Sequence, residues 1–267
     1  MKTKFVYESQ DIPGTDDKIW FDGNSKVAVG KPFADPTPNC FSLVSIDDCP
    51  YSTPICRSSC YTAGIKEFAP DTFAKYHLNS TTIRKYLGVD EKPILKAFTT
   101  HIQKNNIDFF RWHVSGDIFS ETYAKFIAQV CKASPDTTFW IYTRSFPWVH
   151  HITGIDNLTV NLSGDVDNIA ECESTTNNNP GTRVCYMSTD GSVPEWLSNA
   201  SVIFPDYNLR GRDLDTPTDA PWWNTLTQEQ KRMVCPPDFF GQSENIRCGP
   251  CTKCIDQPKE LVQISKL

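Results

Sequence analysis

FFRWHVSGDIFSETYAKFIAQVCKA, residues 109–133, is the stretch that decides the fold class. Its first six residues are an apolar run of strand length, the corner Ser115-Gly116-Asp117 ends that run, and ETYAKFIAQVCKA then places apolar side chains at helical spacing. Ser120 stands where a helix N-cap belongs. Similar units recur along the chain. CFSLVSI (40–46) runs into a cysteine-bearing loop, TFWIYT (138–143) into Arg144-Ser145, and LTVNL (158–162) into Ser163-Gly164-Asp165, with RVCYM (183–187) and SVIF (201–204) completing the series. Parallel neighbours need a return connection, so this alternation predicts an α/β fold: a partial or complete parallel βα barrel.

Outside these units the texture changes. Residues 1–39 read as short strands and turns (FVYES, KIWF before Asp22-Gly23-Asn24, KVAV before Gly30), a β-rich N-terminal cap. Residues 40–225 form the barrel-like domain and 226–267 a cysteine-rich C-terminal segment. DTFAKYHLNSTTIRKYLG (71–88) and EKPILKAFTTHIQKN (91–105) are predicted helices; Phe73, Tyr76, His77, Ile83, Tyr86 and Leu87 mark the apolar face of the first. The polar stretches 173–182 and 206–225 read as loops.

The chain has 267 residues, 39% hydrophobic and 22% charged, enough for a sizeable core without disulfides. Its net charge of -6 and the lack of dense Lys/Arg runs disfavour general nucleic-acid binding. Charges interrupt every apolar run well short of the ~20 residues a bilayer crossing needs, so no membrane partner is expected. The start, MKTKFVYESQ, lacks the apolar stretch of a signal peptide, and a cytoplasmic location is expected.

Eleven cysteines are too few for a disulfide miniprotein, and their clustering points to metal. Cys235, Cys248, Cys251 and Cys254 follow the spacing C-x12-C-x2-C-x2-C. Closely spaced thiolates in a tight loop can meet successive irons of one inorganic cube, with a remote cysteine completing the set. Cys235 precedes Pro236, as remote ferredoxin ligands do, and a [4Fe-4S] cluster is the expected cofactor; structural zinc is the alternative. Cys49, Cys56 and Cys60 form a second set, C-x6-C-x3-C, directly after the first parallel strand. They leave one metal position for a non-protein ligand or for Cys40, or they share a cluster with some of the C-terminal four, so one or two clusters are expected. Cys131, Cys172 and Cys185 are isolated and read as core thiols.

Reactive groups in parallel α/β folds gather at the C-terminal ends of strands. The corner aspartates Asp117 and Asp165 belong there, with Arg144, whose guanidinium suits a carboxylate or phosphate. His113 joins them as a pocket candidate, with a core histidine as the plainer reading. Turn capping is the plainer reading of the aspartates, and a salt bridge to one of them that of Arg144.

Cys49-Pro50 through Cys60-Tyr61, RWHVSGDIFSETY (111–123), YTRS (142–145) and CGPCTKC (248–254) together resemble the phage gene product 88-like family over about residues 40–255. The resemblance implies a viral iron–sulfur-type protein acting in an infected bacterial cell. A looser similarity is to radical S-adenosylmethionine barrels, where a cysteine loop also follows the first strand. Their usual C-x3-C-x2-C and Gly-Gly-Glu-type corner are here C-x6-C-x3-C and Ser115-Gly116-Asp117. S-adenosylmethionine is therefore a disfavoured ligand, and redox or electron-transfer work is expected, with an unidentified redox partner or small-molecule substrate. A radical S-adenosylmethionine-type enzyme and a zinc-stabilised protein acting on a host factor are the alternatives.

Overall fold

The computed structural model describes residues 5–24, 37–197, 202–211, 214–241 and 253–255. Among the described residues eight strands form one sheet in chain order: β1 (Phe5–Asp11), β2 (Lys18–Asn24), β3 (Cys40–Phe41), β4 (Phe109–Trp112), β5 (Thr138–Thr143), β6 (Leu158–Gly164), β7 (Arg183–Ser188) and β8 (Val202–Pro205). β3 to β8 run parallel, and β1 and β2 form an antiparallel hairpin beside β3. The architecture is α/β and mostly parallel, but the sheet is open, with β1 and β8 as its edges. This corrects the expectation of a complete barrel. Closure needs strands matched in length and stagger all round, whereas β3 contributes two residues and β8 four. The N-terminal hairpin, read as a cap, continues the main sheet through the pair Asp22–Cys40. KVAV (26–29), read as a strand, lies outside the described residues.

The helices are α1 (Pro54–Ser58), α2 (Ile65–Phe68), α3 (Pro70–Tyr86), α4 (Lys92–Lys104), α5 (Glu121–Ala133), α6 (Ile169–Asn178), α7 (Pro221–Thr225), α8 (Gln228–Met233) and α9 (Pro236–Phe239). α5 begins as its sequence demands, the Ser120 hydroxyl accepting the Tyr123 N–H at 3.1 Å. On α3, Tyr76, Ile83 and Tyr86 are buried, but His77 is exposed. α6 and α7 correct two stretches read wholly as loop, 173–182 and 206–225.

The two-residue period of the strands sorts side chains onto two faces. Phe41, Phe110, Trp112, Phe139, Ile141, Val160, Leu162, Val184 and Tyr186 enter the main core with Ile94, Phe98, Phe126 and Ile127 from α4 and α5. Phe98 lies 5.4 Å from Trp112 and 4.8 Å from Phe41, ring centre to ring centre. Truncating so embedded a ring costs about 3–5 kcal/mol. The alternate residues Cys40, Trp140, Tyr142, Cys185 and Val202 face the other way, where Cys254 and Ile255 of the C-terminal segment pack against them. The two sides of one sheet thus carry different chemistry.

Candidate functional site

The rim site is built where β3 to β6 end. CFSLVSI leaves the sheet after Phe41 because its polar backbone groups find other partners. Leu43 N–H donates to the Ser115 carbonyl and Val44 N–H to the Asp48 carboxylate, both at 2.9 Å, while the Ser42 carbonyl accepts from Asn79. The chain then turns through Cys49 into α1, whose N-cap is Thr53 with Pro54 next in line. Cys49, Cys56 and Cys60 are all half-buried and lie within electrostatic reach of one another.

Thr53 bolts this loop to the far side of the rim. Its hydroxyl accepts the Cys56 N–H at 3.0 Å and donates to Asp165 Oδ2 at 2.6 Å. The same Asp165 oxygen pairs with Arg144 Nη2 at 2.9 Å, and Nη1 donates to the Ser163 carbonyl at 2.6 Å. Asp117 Oδ2 accepts the Arg144 backbone N–H at 2.8 Å. Asp117, Arg144 and Asp165 therefore stand together, and the salt bridge read as the plainer role of Arg144 is formed with Asp165. Arg144 Nε, buried, has no partner among the described residues.

The two Ser-Gly-Asp corners reach this junction by different backbones. Gly116 has φ +84°, and a Cβ there would stand 2.6 Å from Leu43 Cβ, so only glycine fits. Gly164 has ordinary φ, and a Cβ would meet Ile169 Cδ1 at 3.3 Å and Cys172 Sγ at 3.4 Å.

Burial dominates the electrostatics. It raises the Cys49 thiol well above the usual range, the Asp117 charge adding to the effect, and it raises Cys56 against the opposing pull of Arg144. Burial also lifts Asp117 to about 6, although the Arg144 and Ile118 N–H groups and Thr143 favour its ionised form. His113 follows β4 with φ +65°; burial, helped by the Arg111 charge, lowers it to about 3. Its Nε2 meets the Tyr123 hydroxyl at 2.8 Å, and its Nδ1 has no partner among the described residues. The His113 ring thus packs with Tyr123 in a neutral state, and none of its hydrogen bonds joins it to the Arg144 cluster.

A second thiol group lies on the sheet face. Cys185 and Cys235 are buried together with Val202, and Cys254 packs against them, hydrogen-bonded to Cys185. That bond, with help from Tyr142, Arg183 and Arg111, outweighs burial and holds the Cys254 thiol below its usual range. Cys248 and Cys251 lie outside the described residues. Cys40, the candidate fourth rim ligand, is instead packed with Trp140 and Ile255, its Sγ 3.6 Å from Ser42 Oγ. Cys131 and Cys172 are in the main core. Cys185, read as a core thiol, faces Cys235 and Cys254.

At the rim the donors are soft sulfur, partly shielded from water, with the Arg144 charge nearby, the kind of set an iron–sulfur cofactor would take. Among the described residues no three Cys, His, Asp or Glu side chains are disposed to hold a single metal ion. A four-iron cube spreads its cysteines over separate corners and asks for a wider set. Thr53 was missed by the sequence reading; the Thr-Pro start of a helix was the available signal.

These features define an α/β protein with an open, mostly parallel sheet, cysteines at its strand-end rim and further thiols on one face. The sequence profile described as Gene product 88 matches residues 17–257, and the chain belongs to that family. It is 28% identical over 154 residues to the Gene 88 protein of Mycobacterium phage L5, covering 55% of this chain and 62% of that protein. The Gene 88 protein of Mycobacterium phage D29 is 25% identical over 199 residues, covering 72% and 80% respectively. The chain thus spans less than two thirds of the L5 relative. No solved structure matches it significantly. No helix among the described residues is long and apolar enough to cross a membrane.

Proposed function

We propose that the chain is an iron–sulfur protein of the phage-infected bacterial cell, engaged in redox or electron transfer. The observation that carries this reading is the gathering of Cys49, Cys56 and Cys60 at the rim beside the Arg144–Asp165 pair. Three thiol donors from one loop leave the fourth corner of a [4Fe-4S] cluster for a non-protein ligand or a redox partner. A bound cluster would supply one-electron transfer.

The chain's own groups support that task. Thr53 fixes the turn of α1 that carries Cys56 by binding Asp165, so the loop cannot drift from the strand ends without breaking a buried contact. Arg144 keeps a cation near Cys56 and offsets part of the burial that disfavours its thiolate. Asp117, titrating near 6, can take up or release a proton as the charge of the site changes. The widened cysteine spacing and the Ser115-Gly116-Asp117 corner argue against cleavage of S-adenosylmethionine.

Electron paramagnetic resonance of the reduced, anaerobically prepared chain tests the location. We expect a cluster signal that loses its rim component in Cys56→Ala, with no 5'-deoxyadenosine formed from S-adenosylmethionine. An unchanged signal in Cys56→Ala contradicts the rim assignment. Formation of 5'-deoxyadenosine above a no-protein control would instead establish a radical enzyme.

A further inference from the structure

We infer that the end of the sheet opposite the rim binds an organic cation of the aliphatic di- or polyamine class, in a cleft between the C-terminal ends of α4 and α5. The site is separate from the rim and independent of the iron–sulfur reading.

The fold makes this cleft negative. In a parallel sheet each crossover helix returns to the edge where the next strand starts, so α4 and α5 point their C-terminal ends towards the beginnings of β4 and β5. A helix end of this polarity carries roughly half a negative elementary charge. Between the two lies a cleft of about 310 Å³, a volume that admits a small molecule. Asp108 and Asp136, both exposed, line it from the loops that lead into β4 and β5. No lysine, arginine or histidine is among its lining residues. The lysines of the two last turns do not supply the missing charge. Lys104 pairs with Glu8 at 2.7 Å, and Lys132 is not part of the lining.

A buried oxygen points to a ligand independently of these charges. Ser134, 7% exposed, lines the cleft, and its hydroxyl oxygen is buried with no partner among the described residues. Such a group costs stability until a donor reaches it, and an ammonium is a donor. The walls are held in advance. Asn157 Nδ2 donates to the carbonyls of Cys131, Ser134 and Thr137 at 3.0, 2.9 and 2.9 Å, and Thr137 Oγ1 donates to the Ile107 carbonyl at 2.8 Å, which ties the two loops together. Ile102, Ile107 and Pro135 supply apolar wall for a methylene stem. Two carboxylates with no third Cys, His, Asp or Glu in the lining do not make a metal site. An aliphatic amine with more than one ammonium group matches both the paired carboxylates and the apolar wall between them.

Isothermal titration calorimetry and thermal unfolding of the full chain at low ionic strength, with butane-1,4-diamine and spermidine as probes, test the inference. Both amines are expected to bind saturably and to raise the unfolding temperature, whereas butane-1,4-diol and sodium chloride at matched ionic strength do neither. Combining Asp108→Asn with Asp136→Asn, two exposed positions, is expected to weaken binding about tenfold. Asp71→Asn, which removes an exposed charge from α3, should leave binding unchanged. Absence of amine binding to the wild-type chain overturns the inference, as does an effect that the diol or matched salt reproduces. Binding that survives the double substitution, or that Asp71→Asn weakens equally, overturns it too. Should the double variant fail to fold by circular dichroism, the wild-type comparison of amines with diol and salt decides alone.

Discussion

The rim thiols and the face thiols of this sheet are assembled in opposite ways. Cys49, Cys56 and Cys60 come from one loop of twelve residues, positioned by the N-cap at Thr53 and by a carboxylate, Asp165, that arrives from β6. Cys185, Cys235 and Cys254 come from β7, from the N-cap of α9 and from the C-terminal segment, and only the tertiary fold makes them neighbours. The rim group is local in its cysteines and long-range in its support. In the face group the cysteines themselves are long-range. A change in the support should therefore loosen the rim selectively, and a change in packing should affect the face.

Asp165→Ala is the severest way to break the rim. It strips the partner from a guanidinium that is only 9% exposed and removes the acceptor of Thr53. We expect a loss of about 3–5 kcal/mol in denaturant unfolding, the usual penalty for a buried charge left alone. Faster alkylation of Cys56 than of Cys185 should accompany it. Gly116→Ala should cost about 3 kcal/mol, since it combines a left-handed φ with a clash against Leu43, and Gly164→Ala about 1 kcal/mol, since its contacts are tight but movable. Equal costs for the two corners would show that they are built alike. Thr53→Val removes the cap of α1 and the bond to Asp165 and should cost about 1–2 kcal/mol, measurable by thermal unfolding.

The most gradual effect is one of pH. Asp22, buried on β2 beside Cys40, has its carboxyl raised to about 7, and Asp117 at the rim to about 6, in both cases through desolvation first. A raised carboxyl stabilises the fold while both states are protonated, and that contribution is lost as pH rises from about 4 through the folded value. Each group therefore lowers stability by about 1 kcal/mol per pH unit within its window. The difference between wild type and Asp22→Asn should change from pH 4 to about 7, and that for Asp117→Asn should level off near 6. Buried His113 and His101, lowered to about 3 and about 4, act in the other direction as pH falls below 6.5. They are common to all these proteins and cancel in the differences.

TFWIYT and ETYAKFIAQVCKA were legible because pattern and structure agree: β5 and α5 occupy those residues and no others. CFSLVSI was misread in length because Ser42 to Val44 exchange ladder hydrogen bonds for bonds to Ser115, Asn79 and Asp48, partners no local pattern reveals. The helix over Ile169–Asn178 was hidden by the polar run STTNN; Cys172 is its single buried residue, wedged against Gly164. At the site, the cysteine loop, both corner aspartates and Arg144 were readable from their places after strands. The packing of Cys185 with Cys235 and Cys254 was not, because an apolar strand shows the period of its faces and not which face meets the C-terminal segment.

The iron and acid-labile sulfide content of the anaerobically purified full chain, expressed with ample iron, tests the central claim most directly. We expect a brown protein with iron and sulfide in equal amounts, reduced but not abolished when Cys49, Cys56 and Cys60 are replaced together. Stoichiometric zinc without labile sulfide, or a colourless protein without metal, would contradict it.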